Sequence, residues 1–215
     1  MTTLDENAER LGREALARRE AKGGARVLLA IAGAPGSGKS TAAEAVAAWI
    51  NRRQPGLAAV LPMDGYHYDD QVLEAMGRRA HKGAPDTFDV HGLRHMLLRL
   101  KENAEDTIAV PVFDRGIEIA RAGARLIPRQ TGIIIICEGN YLLLRQPPWD
   151  GLKPLFDFSV FADVPPEELK RRLTERWRSY GPPEDQIRFK VEQNDVPNGI
   201  AVIEGSAEPD IRLMN

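Results

Sequence analysis

The sequence predicts an α/β fold of three layers, a mostly parallel central sheet with helices on both faces. Three observations predict it. Short and almost wholly apolar runs recur along the chain, among them "RVLLAIA" (26–32), "GIIIIC" (132–137) and "FDFSVFA" (156–162). Segments whose apolar residues fall at helical spacing lie between them, the alternation that builds parallel sheets. The first apolar run leads straight into a glycine-rich turn and then an alanine-rich, helix-forming stretch.

Taken in order, Leu4, Ala8, Leu11, Ala15 and Leu16 share one helical face, so residues 1–22 form an amphipathic helix that packs on the main body. "KGG" at 22–24 ends it. A buried strand follows at 26–32, the glycine loop at 33–41, and a helix at 40–53. "LAAVLPM" (57–63) is a second strand, residues 69–81 a helix, and residues 89–103 another, with Asp89 as its N-cap. Further strands fall at 107–112, 132–137 and 156–162. Pro165 and Pro166 then open a helix rich in arginine and glutamate that runs to Gly181. Residues 165–195 supply a helical lid and the helix after it, and residues 1–215 are expected to form a single domain.

Composition narrows the function. With 43% hydrophobic residues the 215-residue chain has enough apolar matter for a sizeable core. A net charge of −2, a pI near 6.1 and no Lys/Arg tract argue against nucleic acid as a partner. The lone cysteine, Cys137, excludes an intramolecular disulfide, and the polar N-terminal stretch lacks the apolar segment of a signal peptide, so a cytoplasmic location is expected. No apolar run is long enough to span a bilayer, so no membrane partner is expected. The sequence leaves a homodimer open.

"GAPGSGKST" (33–41) carries the chemistry. Gly33, Gly38, Lys39 and Ser40 match G-x-x-x-x-G-K-[ST] without a mismatch. Such a loop turns backbone N–H groups onto phosphates, its lysine neutralises the terminal phosphates, and its serine completes a Mg²⁺ shell at the helix N-terminus. Gly33, Pro35, Gly36, Ser37, Gly38, Lys39, Ser40 and Thr41 are therefore the expected binding residues for ATP.

Strand ends in a parallel sheet open on one crevice, so Asp64, after the second strand, is placed to take a proton from an acceptor hydroxyl. An Asp-Gly turn without chemistry accounts for the same two residues. Tyr66 and His67 are candidates to line the acceptor pocket, and packing alone would also explain them. Glu138, at the end of a strongly apolar run, is placed to hold Mg²⁺ directly or through water; an ordinary solvated glutamate is the alternative. Arg172 and Arg176, on one face of the lid helix, are candidates to stabilise charge on the transferred phosphate, although Glu167, Glu168 and Glu175 also make a plain salt-bridged helix. Phe113, Asp114 and Arg115 suit a clamp on a small polar substrate, with a structural Asp-Arg pair as the competing explanation.

Taken together, "GAPGSGKST", "MDGYH", "RRAHKGAPDTFDV", "VPVFDR", "CEGNYLLL" and "LKRRLTERW" resemble the P-loop kinase family of uridine kinase, phosphoribulokinase and bacterial type I pantothenate kinase. The likeness is nearest to its fructose-transport-system, or fructokinase-like, branch, and it runs over nearly the whole chain. It implies a nucleoside/nucleotide kinase-like P-loop fold, ATP and Mg²⁺, and transfer of the γ-phosphate to a hydroxyl of a small molecule. The resemblance puts the catalytic aspartate on Asp64, the metal-associated glutamate on Glu138, the lid arginines near Arg172 and Arg176, and the acceptor-contacting segment on Phe113 to Arg115. It also sets "NDVPNG" (194–199) near the adenine.

Two departures bear on the acceptor. Uridine kinases carry an aspartate for ribose hydroxyls where this chain has Gly83, and pantothenate kinases have a longer C-terminal part. A sugar is favoured, with a nucleoside, pantothenate, or a regulatory or sensing NTPase without an acceptor as alternatives. The regulatory reading loses support because no guanine-reading N-K-x-D occurs.

Overall fold

The computed structural model describes residues 3–214. Along the chain run α1 (Leu4–Ala21), β1 (Val27–Gly33), α2 (Lys39–Arg53), β2 (Ala58–Pro62), α3 (Asp70–Ala75), α4 (Val90–Glu102), β3 (Thr107–Asp114), β4 (Ile119–Pro128), β5 (Ile134–Gly139), β6 (Phe158–Asp163), α5 (Pro166–Tyr180), α6 (Glu184–Lys190), α7 (Val196–Gly205) and β7 (Ile211–Met214). β1 is buried at every residue, as a strand covered on both faces must be. It pairs in parallel with β5 on one side and β6 on the other, and the sheet order is β2-β5-β1-β6-β7. All the pairings in this sheet are parallel.

Successive side chains of a strand point to opposite faces, and that alternation makes the layers. Val27, Leu29 and Ile31 pack with Ala8, Leu11 and Ala15 of α1 and with Val46, Trp49 and Ile50 of α2. Leu28, Ala30 and Ala32 face the other way, onto Leu93, Leu97 and Leu100 of α4. The N-terminal helix thus packs on the sheet layer, held at its start by a capping box between Thr3 and Glu6. Asp89 caps α4 by accepting from the Gly92 N–H at 2.8 Å. The start of β1 is fixed by charged groups that hydrogen-bond to surrounding backbone. Buried Arg26 donates to the carbonyls of Leu100, Pro128 and Thr131, and Asp157 accepts from the Leu28 N–H at 2.8 Å.

Five elements depart from the sequence reading. The helix expected over 69–81 stops at Ala75, because Gly77 takes a φ of +66° that ends it, and Arg79–His81 forms a separate 3₁₀ turn. The strand expected at 107–112 exists as β3, but it lies outside the parallel sheet in an antiparallel ribbon with β4. The ribbon is irregular between Val110 and Val112, where Pro111 has no N–H for a ladder. β4, α7 and β7 were not marked by periodicity: in β4 only Ile127 is buried, so no apolar run announces it. Among the described residues, no helix is long and apolar enough to cross a membrane.

Candidate active site

The C-terminal ends of β1, β2 and β5 open on one cleft of ≈ 260 Å³. β1 delivers the glycine loop. Gly36 and Gly38 adopt φ of +82° and +84°, a left-handed geometry that L side chains rarely take and that lets the loop curl inward. α1, α3 and α4 each have a side chain capping their first N–H groups, but α2 begins at Gly38 with no side-chain cap and no acidic residue in its first turn. Its first amides are therefore free to receive an anion at the positive end of the helix dipole.

Pro35, Gly36, Gly38, Lys39, Ser40 and Thr41 line the cleft. Gly33 and buried Ser37 lie behind it, where they shape the loop. Burial pushes the Lys39 ammonium below the ordinary lysine range, and the carboxylates of Glu138 and Asp64 pull the other way. Glu138 sits at the end of β5, only 6% exposed, and the Ser40 hydroxyl donates to its Oε2 at 2.9 Å. Burial raises the Glu138 carboxyl and the Lys39 charge lowers it. A hydroxyl and a carboxylate so joined, beside an uncapped helix start, fit the donor set of a Mg²⁺ that keeps most of its water.

Asp64 stands in the 3₁₀ turn Met63–Tyr66 directly after β2. Its Oδ2 accepts from Arg115 at 2.7 Å, so the tip of the ribbon reaches over to the strand end. Gly65 allows that approach: a Cβ there would stand 2.7 Å from the Pro111 carbonyl oxygen. His67 Nδ1 lies 2.8 Å from the Asp64 carbonyl oxygen, which can only accept, so Nδ1 carries the hydrogen and Nε2 keeps its lone pair. Burial lowers the imidazole below its ordinary range and so favours the neutral ring, although the Asp64 carboxylate pulls the other way. His67 packs at a tilt between Phe88 and Phe113, at 4.0 and 4.8 Å between ring centres.

The structure corrects the expectation for Tyr66. It belongs to the hydrophobic core, 8% exposed, and does not line the cleft, because the 3₁₀ turn sends successive side chains to different sides. Arg176 lines the cleft, whereas Arg172 lies beside the loop: its Nε donates to Glu168 at 2.7 Å and its Nη1 approaches the Gly36 carbonyl at 3.5 Å. The structural Asp114-Arg115 pair does not form; Asp114 instead meets Arg121 across the ribbon at 3.1 Å.

Residues that the sequence does not mark as site residues by their chemistry complete the walls. Arg79, Lys82 and Gly83 come from the segment before α4, Glu118 from the ribbon turn, and Trp177, Asn194, Asp195 and Asn198 from the lid and the helix after it. Lys82 is held by Asp70 at 2.7 Å. Burial pushes the Asp195 carboxyl above the usual carboxylate range, opposed by the Trp177 indole and by Arg176 and Lys190. The signal in the sequence for these residues is one of resemblance, through "RRAHKGAPDTFDV", "LKRRLTERW" and "NDVPNG"; Glu118 has none.

A parallel sheet delivering a glycine loop, with a buried carboxylate beside its serine and a second acid at the next strand end, defines a nucleotide-binding fold of the P-loop kinase kind. No family model matches the chain. It is 32% identical over 195 residues to a provisionally named uridine kinase of Schizosaccharomyces pombe, covering 87% of this chain and 83% of that one. It is 30% identical over 170 residues to the pantothenate kinase of Streptomyces avermitilis, covering 76% of this chain and 51% of the enzyme, and so spans about half its length. A crystal structure provisionally described as a fructose transport system kinase, from Silicibacter sp. TM1040, superposes with a TM-score of 0.88 at 36% identity, over 99% of this chain and 100% of the other. The chain belongs to the P-loop kinase family of the uridine and pantothenate kinases, which are phosphotransferases.

Proposed function

We propose that the protein transfers the γ-phosphate of ATP to a hydroxyl of a small metabolite, a sugar being favoured. The observation that carries this reading is the position of Asp64: its carboxylate is clamped by Arg115 at 2.7 Å in the same cleft as Lys39 and Ser40, and Glu138 stands behind Ser40 and accepts from its hydroxyl. In this reading the loop amides and Lys39 hold the phosphates, and Ser40 and Glu138 hold Mg²⁺, which supplies charge neutralisation when bound. The acceptor oxygen attacks the γ-phosphorus as its O–H bond breaks toward Asp64, the bond from that phosphorus to the bridging oxygen breaks and ADP leaves, and Arg176 and Arg172 stabilise the charge that spreads over the transferred group.

His67, Phe113 and Arg115 form the acceptor wall. The rings of His67 and Phe113 offer a flat face to a carbon skeleton, while His67 Nε2, Lys82 and Glu118 offer polar partners for hydroxyls. A sugar matches that mixture, and the likeness to the fructose transport system kinase supports it. Gly83, with no side chain for a ribose hydroxyl, weighs against a nucleoside.

The test is ATP consumption with Mg²⁺ over a panel of sugars, nucleosides and pantothenate, in wild type and Asp64→Asn. The expected result is one acceptor that raises turnover well above the basal rate, with a loss of about 10²- to 10⁴-fold in the variant. Equal, acceptor-independent hydrolysis by both proteins would overturn the reading in favour of a regulatory NTPase.

A further inference from the structure

We propose that Asp195 is the positioning residue for Arg176, fixing from behind the guanidinium that faces the phosphates; this rests on the phosphotransfer reading above. Asp195 ends a π-helical turn, Val191–Asp195, set between α6 and α7. Pro197 follows two residues later; it has no N–H to return to the preceding turn, and the helix widens where that bond is missing. The widened turn sets two neighbouring side chains to different tasks. Asn194 donates through Nδ2 to the Lys82 carbonyl at 3.3 Å, on the acceptor wall. Asp195, 7% exposed, turns to the lid helix.

One carboxylate oxygen there meets two consecutive residues of α5. The Trp177 indole donates to Asp195 Oδ2 at 2.7 Å, and Arg176 Nη2 lies 3.6 Å from the same atom. The first contact is a full hydrogen bond and the second is an ion pair longer than one. Trp177 is also seated against Leu173, Ile187 and Val191, a small apolar cluster shared by α5 and the helix beyond it. The indole therefore sets where α5 sits, and the longer contact leaves the guanidinium oriented but not spent. Arg176 lines the cleft and its ion pair with Asp195 is longer than a hydrogen bond, so guanidinium N–H groups remain for an anion. A carboxylate beside a phosphate site would repel the ligand by itself; with Arg176 between them it orients the cation that binds it.

The test is a double-mutant cycle on the whole protein with Asp195→Asn and Arg176→Ala. It is read by calorimetric affinity for a non-hydrolysable ATP analogue with Mg²⁺ and by acceptor-stimulated kcat. Asparagine keeps the shape and an oxygen for the indole while removing the charge that Arg176 meets. Asp195→Asn is expected to lower kcat and analogue affinity by about tenfold in the wild-type background and by less than about twofold once Arg176 is alanine. Acceptor KM should stay within about twofold. Equal losses in both backgrounds, or none in either, would overturn the proposal and leave Asp195 a purely structural partner of Trp177. If Asp195→Asn does not fold, Asp195→Glu enters the same cycle with the same expectations, because the longer side chain displaces the guanidinium. A wild type that binds the analogue but phosphorylates no acceptor defeats the phosphotransfer reading while the binding cycle still decides Asp195. One that binds no analogue removes both.

Discussion

At the phosphate end of the cleft every residue of β1 is buried, and the loop it delivers is shaped by its own backbone, with amides and two glycines in the left-handed region. At the proposed acceptor end, β4 buries only Ile127, and the wall is made of long side chains: Arg115, 60% exposed, reaches Asp64, while Lys82 is held by Asp70. The first end presents fixed dipoles that need no reorganisation when an anion arrives. The second can be re-cut by changing a few side chains without touching the core. This contrast matches a family whose members share a phosphate donor and differ in acceptor.

The comparison is broken most directly at Lys39. If the phosphate end carries the common chemistry, Lys39→Ala should reduce phosphoryl transfer to any acceptor by about 10³-fold, measured as kcat at saturating ATP. A loss confined to one acceptor would place Lys39 on the other side of the contrast.

Gly65 joins the two ends, so its substitution should couple them. Gly65→Ala puts a methyl group against the Pro111 carbonyl and is expected to destabilise the fold by about 1–3 kcal/mol in denaturant titration, with a rise in acceptor KM as the ribbon is pushed off Asp64. Unchanged stability and KM would show the ribbon to be free of the turn.

His67 sharpens the contrast through pH. Its folded-state value is lowered by burial, so as pH falls the unfolded chain takes up that proton first. Its contribution to stability is complete above the ordinary value of 6.5 and is lost as pH drops through the lower folded value. His67→Phe, which keeps a ring against Phe88, should show a shallower fall in Tm between about pH 7 and 5 than wild type. Identical slopes would rule His67 out as the source.

The smallest effect belongs to Tyr66. Its buried hydroxyl has no hydrogen-bond partner among the described residues, so Tyr66→Phe should leave kcat and acceptor KM within about twofold and keep or slightly raise the Tm. A large rise in acceptor KM would return Tyr66 to the substrate pocket.

How much could be read in advance differs between the two ends. The order of β1, loop and α2, the apolar β5 ending in Glu138, and the Asp89 cap of α4 are local features, set by residues adjacent in the chain, and the sequence displays them. β4 escaped because an exposed ribbon strand needs no apolar pattern, and Tyr66 was misplaced because a 3₁₀ turn of four residues has no periodicity from which to read direction. Lys82 and Glu118 carry no chemical signal of their own because each is an ordinary polar residue until the fold sets it beside the cleft, and Asn194 and Asp195 are marked only by resemblance.

By itself, then, the sequence determined the phosphate-binding loop and the class of sheet behind it, since glycine backbone freedom, helix start and apolar run act over a few neighbouring residues. Only the tertiary structure decided which side chains form the proposed acceptor wall and lid. There Arg115 meets Asp64 across 51 positions and Trp177 meets Asp195 across 18, distances in the chain over which no local preference operates and only packing of the core brings charges together.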